Sequence, residues 1–328
     1  MARHKRHKGS PVYQVANVKI DTHKRCDKDE AEIISPTLSQ YQKHTVKFFK
    51  WCQREFGVRD LAKCSVYIQN YADYLVEAGK TTSTIHTYLA GVCRLFGVPM
   101  GKIKKPLRVN AENIRSRGAK ASDERADTKR EASPQLYDLA SMVGIRRAEY
   151  KRLDGTDLVR DESGYLCVRV KNGKGGKFQL QRILPEHAAA VSTYFDGTTS
   201  YLFSRKELKN KIDLHALRAQ QARRAYDAYV ARIQAEGRDR LIEEIQARWE
   251  NYAGKQASSK GKANKEKKWD PYLVREKPYF LRGANKKLAI DSGLPVEYNR
   301  LALMAVSVFH LSHWRLGVTV SNYMLAVN

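Results

Sequence analysis

The sequence predicts a mostly helical protein with a small β-sheet, divided into an N-terminal helical domain and a C-terminal α+β domain. Three observations carry this. Between residues 36 and 97, apolar residues recur at three- and four-residue steps, the period of a helix with one buried face. The stretch GYLCVRVKNGKGGKFQLQRILP alternates and turns, as a β-hairpin does. A charged segment poor in apolar residues, 98 to about 132, lies between the two patterns and reads as a linker.

Taken in order, residues 1–34 are polar and read as a basic, flexible arm. Its opening, MARHKRHKGSPVY, is basic with no apolar run behind it, so no secretory signal is expected. Residues 35–98 form the helical domain. Tyr41, Thr45, Phe48, Phe49, Cys52 and Phe56 make one stripe. Tyr67, Ile68, Tyr71, Leu75 and Ala78 make a second, closed by Gly79. TTSTIHTYLAGVCRLFG gives a third, with hydroxyls at its start suited to capping a helix or binding phosphate. After the linker (99–132), residues 133–328 form the second domain. It opens with a helix at SPQLYDLASMVG and continues into the hairpin, where Val168 and Val170 alternate and NGKGGK supplies the turn. Residues 216 to 251 read as one long helix or two joined ones. The GKQASSKGKANKEKKWD that follows reads as a mobile loop. The end of the chain, from about 283, is helical, with a turn at DSGLP.

Charge is the strongest global signal. Sixty Lys and Arg stand against 35 Asp and Glu, a net +25, which predicts a polyanionic partner, nucleic acid before anionic membrane. No apolar run is long enough to span a bilayer. Five scattered cysteines without a CxxC pair argue against a disulfide framework or zinc site and for a reducing, cytoplasmic setting. Nine histidines show no metal-binding spacing.

Phosphate-recognising residues line up in the second domain. VGIRRAEYKRL puts Arg146 just after a glycine-containing turn, with Glu149 one helical turn on. Lys174 sits at the tip of the hairpin. LHALR places His215 and Arg218 three apart, on one helix face. LSHWRLGVTVSNYMLAVN carries His313 and Tyr323. The residues alone leave choices open. Arg147 competes with Arg146, and Lys171 and Lys177 compete with Lys174. His310, among apolar neighbours, reads as a packed histidine, and Tyr298 lies in no motif.

In this order the motifs resemble those of the tyrosine recombinase (phage-integrase type) family. The matching boxes are GIRRAE from Gly144 to Glu149, GKG around Lys174, HALR from His215 to Arg218, LSH ending at His313, and Tyr323. The resemblance spans nearly the whole chain. It implies that residues 35–98 are a core-binding (SAM-like) domain and 133–328 a catalytic domain, the two clamping double-stranded DNA. Three departures stand out. His313 and Tyr323 are ten apart rather than nine. A long, Lys-rich helical insert, about 219–282, separates Arg218 from His313. Five residues follow Tyr323, fewer than the helix this family extends into a neighbouring protomer.

The resemblance also implies roles. Arg146 and Arg218 would hold the non-bridging phosphate oxygens, for which a planar guanidinium is better suited than an ammonium. Tyr323 would attack phosphorus and leave a 3′-phosphotyrosyl link. His215 would take the phenol proton, Lys174 would protonate the departing 5′-oxygen, and His313 would donate to a phosphate oxygen. No cofactor or metal is called for. Partners would be double-stranded DNA and three further copies of the chain on paired sites, with accessory factors, in association with the nucleoid. The expected task is integration or excision of a mobile element. A type IB topoisomerase-like nicking-closing enzyme and a non-catalytic DNA binder of the same fold are the alternatives. The nucleophile is expected on a lightly anchored end segment that can swing.

Overall fold

A computed structural model describes residues 10–17, 36–107, 130–131, 133–173, 177–209, 212–253 and 269–325. The chain divides into two compact units, Met1–Val109 and Asn110–Asn328.

The first unit is helical. It contains α1 (Pro11–Asn17), α2 (Pro36–Phe56), α3 (Ile68–Glu77) and α4 (Thr82–Leu95), with a 3₁₀ turn at Leu61–Tyr67 between α2 and α3. The stripes seen in the sequence become its core, with Phe48, Phe49, Cys52, Ile68, Tyr71, Leu75, Ile85, Leu89 and Val92 all buried. Gly79, at φ +64, makes the reversal between α3 and α4 that a side chain would strain. Thr81 then caps α4, its side chain accepting from Thr84 N. Gly91 faces α2 so closely that an added Cβ would lie 2.8 Å from the Tyr41 backbone. Residues 1–34 are expected to form a flexible arm, yet 11–17 within it form α1, and Val15 is fully buried in this core.

The second unit starts at α5 (Pro134–Met142), with proline in its first turn, and the short α6 (Arg147–Tyr150). An antiparallel sheet follows, in the order β1 (Leu158–Arg160), β2 (Leu166–Gly173), β3 (Lys177–Arg182). Val168 pairs with Gln181 and Val170 with Gln179, so the expected hairpin is present, with a register shift between Val170 and Gly173. Short α7 (Ala188–Ser192) leads to the long α8 (Leu214–Glu236) and α9 (Asp239–Arg248). The stretch read as one long helix or two is two, broken at Gly237 with φ +81. Beyond them lie β4 (Tyr279–Phe280), α10 (Gly283–Asp291), β5 (Glu297–Tyr298), α11 (Arg300–Ala305) and α12 (Leu316–Thr319). β4 and β5 pair in a two-stranded sheet. Two π-helical turns, Val306–His310 and Val320–Met324, extend α11 and α12.

Two apolar clusters build this unit. One gathers α5, the three-stranded sheet and the start of α8 (Leu214, Leu217). The other gathers the rest of α8 (Ala219, Ala222, Ala225, Tyr229) with α9, α11 and the end segment to Leu325. Residues from the 219–282 region are therefore core material. Arg218 lies on α8 at the step from one cluster to the other, which positions the site described next.

Candidate phosphodiester-cleaving site

The site assembles where α8 begins. Asp213 caps the helix, accepting from the backbone N–H groups of His215 and Ala216, each at 3.0 Å. The three-residue spacing then turns His215 and Arg218 toward the same side. Arg218 is completely buried. Its Nη1 donates to Gly144 O at 2.6 Å and its Nη2 to Leu311 O at 3.0 Å. One side chain so ties the turn before α6 to the loop before His313. Gly144 permits the approach, since an added Cβ would lie 3.3 Å from Arg218 Cγ. Burial lowers the Arg218 pKa from its usual value, Tyr323 beside it opposes the shift, and Arg146 nearby adds to it.

Glu149 joins the two arginines. Its side chain is 2% exposed. Oε1 accepts from Arg146 Nη1 and Oε2 from the Arg146 backbone N–H, both at 2.7 Å. Oε2 also lies 3.9 Å from Arg218 Nη1. A buried carboxylate between two guanidiniums fixes their spacing. Arg147 points elsewhere, donating to Leu208 O at 2.9 Å and also to Ile212 O. The geometry brings Arg146, and not Arg147, to Arg218.

Tyr323 completes the cluster. Its ring centroid lies 5.6 Å from that of His215, edge to face, and 5.9 Å from that of His313, stacked. The Arg218 guanidinium lies 5.8 Å from the ring centre. Side chains from two separated segments, α8 and the His313 loop, thus meet around one phenol, all in one chain. The expectation of a lightly anchored end is corrected here. Leu316, Val320, Tyr323, Met324 and Leu325 are all buried in the second cluster. Arg223 Nη1 donates to Tyr323 O at 3.3 Å. Apolar burial along α12 and the turn after it, not a free tail, holds the phenol in place.

The loop carrying His313 is unusual. Ser312 and Trp314, on either side, have φ of 52° and 57°, a left-handed conformation that non-glycine residues adopt only when the surroundings impose it. Gln181 of β3 donates to Ser312 Oγ at 2.7 Å. Ser307 Oγ lies 3.1 Å from His313 Nδ1 and accepts from Arg315 N at 2.9 Å. Sequence reasoning missed Gln181, Ser307 and Ser312. Ser307 and His313 are six residues apart, a spacing that matches neither helix nor strand period, so no pattern pointed to them.

Lys174 lies outside the described residues, as does the side chain of Lys177. Lys171, the third contender, pairs with Asp154 at 2.6 Å and Asp157 at 3.1 Å. His310 is buried, 3.3 Å from Tyr229 Oη, as a packed histidine. Tyr298 is core, stacked edge to face on Tyr226. Among the described residues no group of three or more His, Cys, Asp or Glu could hold a metal, and no helix is long and apolar enough to cross a membrane.

No family model matches the chain, and no curated protein does. Among solved structures, the crystal structure of XerA recombinase aligns with a TM-score of 0.21 and 17% identity, covering 66% of this chain and 83% of that one. A superposition that loose lends no weight to fold or function, which rest on the side chains.

Proposed function

We propose that the chain is a site-specific DNA recombinase of the tyrosine type, which cuts and rejoins double-stranded DNA through a 3′-phosphotyrosyl intermediate. One observation carries the reading: Arg218, His215 and His313 surround the phenol of Tyr323, and Glu149 ties Arg146 to Arg218. Two cations, two imidazoles and a nucleophile are what attack on an anionic phosphodiester requires. Charge gathers on the non-bridging oxygens in the transition state, and fixed guanidiniums offset it.

Tyr323 Oη attacks phosphorus, forming the P–O(Tyr) bond as the P–O5′ bond breaks. The phenol proton goes to His215, and the departing O5′ takes a proton from Lys174, whose rival Lys171 is held by two carboxylates. Rejoining runs the same steps backward, so no external energy source is needed. The phenol fills the space beside Arg218 and is 5% exposed, so the scissile phosphate enters as the ring shifts aside. Synapsis of four protomers on two sites, and integration or excision of a mobile element, complete the proposal.

The test uses a nicked suicide duplex cut from the DNA flanking the gene, incubated without divalent metal. A covalent 3′-adduct in the native protein, lost in Tyr323→Phe, is the expected result. Products joining two duplexes select recombinase over a nicking-closing enzyme. DNA binding with no adduct overturns the catalytic reading in favour of a binder.

A further inference from the structure

Ser307 is completely buried in the π-helical turn that precedes the His313 loop. The loop folds back on it. His313 N donates to Ser307 O at 3.0 Å, Arg315 N donates to Ser307 Oγ at 2.9 Å, and His313 Nδ1 lies 3.1 Å from the same Oγ. A serine hydroxyl has one proton and two lone pairs. The Arg315 N–H takes one lone pair. The proton needs an acceptor, and of the two partners of Oγ among the described residues only the imidazole nitrogen can accept. Were Nδ1 protonated instead, two donors would face Oγ and the buried hydroxyl proton would have no acceptor, an arrangement buried groups avoid.

We propose that Ser307 is a positioning residue: its hydroxyl donates to His313 Nδ1, which fixes the imidazole as the tautomer protonated at Nε2. That tautomer makes His313 a hydrogen-bond donor, the role a non-bridging phosphate oxygen demands. The opposite tautomer would present an acceptor lone pair to an anion. The strained backbone at Ser312 and Trp314 serves the same end, because it turns the ring back onto Ser307. Gln181 holds that turn from β3 through Ser312 Oγ. The catalytic consequence rests on the proposed function; the tautomer does not.

The proton is located by long-range ¹H–¹⁵N correlation on the full chain labelled at histidine, with His313 assigned from the signals missing in His313→Gln. The native protein is expected to show a pyridine-like Nδ1 and a pyrrole-like Nε2. Ser307→Ala should mix the two forms, and Ser307→Thr, which keeps the hydroxyl, should restore the native pattern. A proton on Nδ1 in the native protein, or an unchanged spectrum in Ser307→Ala, overturns the assignment. In the suicide-duplex assay, Ser307→Ala should slow adduct formation about 10- to 100-fold, the range for losing an orienting outer partner, with DNA affinity unchanged. An unaltered rate would also overturn it. If the native protein forms no adduct at all, the recombinase reading fails while the spectrum still decides Ser307.

Discussion

Arg147 commits its guanidinium to the carbonyls of Leu208 and Ile212, while its neighbour Arg146 leans on Glu149 beside Arg218. Substitution should separate the two. Arg147→Ala leaves two carbonyls without their donor and should cost about 1–3 kcal/mol, read as a lower urea midpoint. Arg146→Lys should leave the midpoint within error yet slow adduct formation roughly 10²-fold, by analogy with the loss of an oxyanion donor. The GIRRAE motif pointed to Arg146, but its residues alone could not separate the pair, because the carbonyls that occupy Arg147 lie more than sixty residues downstream. His310 is a second case where neighbours decide. Burial, then the charges of Arg182, Arg248 and Arg218, lower its pKa to about 3. Between that value and the unfolded value of about 6.5, only the unfolded chain takes up the proton. The stability from keeping His310 neutral is therefore complete above about pH 6.5 and falls with acidification, by up to about 1.4 kcal/mol per unit. Thermal midpoints from pH 7 to pH 5, before most carboxylates titrate, should fall less steeply in His310→Leu than in the native protein.

At the level of elements, α9 is bound to the sheet by charge. Arg182 of β3 pairs with Asp161 and with Glu244 of α9, each at 2.6 Å. Arg248 of α9 returns to Asp161 at 2.7 Å and donates to Leu180 O at 3.0 Å. Arg232 of α8 reaches Glu244 at 2.7 Å. Phe309 lies under both Arg182 and Arg248, at 3.5 and 5.1 Å. Glu244→Leu removes the carboxylate that Arg182 and Arg232 share and leaves the buried Arg182 with Asp161 alone. The expected loss is about 3–5 kcal/mol in denaturant titration, against no measurable change for breaking the exposed Arg54–Glu55 pair with Glu55→Ala. From sequence this helix belonged to a Lys-rich insert that no motif explained. Only the partners Asp161 and Arg182 show that the face is buried. The stripes of α2 to α4 and the β2–β3 hairpin were legible because their periods are local. Strand β1, the β4–β5 pair and the π-helical turns were not, being too short for a period or set by distant packing.

For the whole molecule, the net charge of +25 is the property that reaches furthest. If DNA binding neutralises about 6–10 phosphates, affinity should fall roughly 10³- to 10⁵-fold between 50 and 200 mM salt, measurable by fluorescence anisotropy. A slope near zero would remove the phosphate backbone as the partner. Composition alone disclosed this much, because long-range attraction depends on total charge and little on arrangement.

The nucleophile and the guanidinium beside it come from one and the same polypeptide. A mixture of two crippled versions, Tyr323→Phe and Arg218→Ala, should therefore stay inert, for neither can lend the other its missing group. Regained adduct formation on mixing would mean that copies exchange their ends.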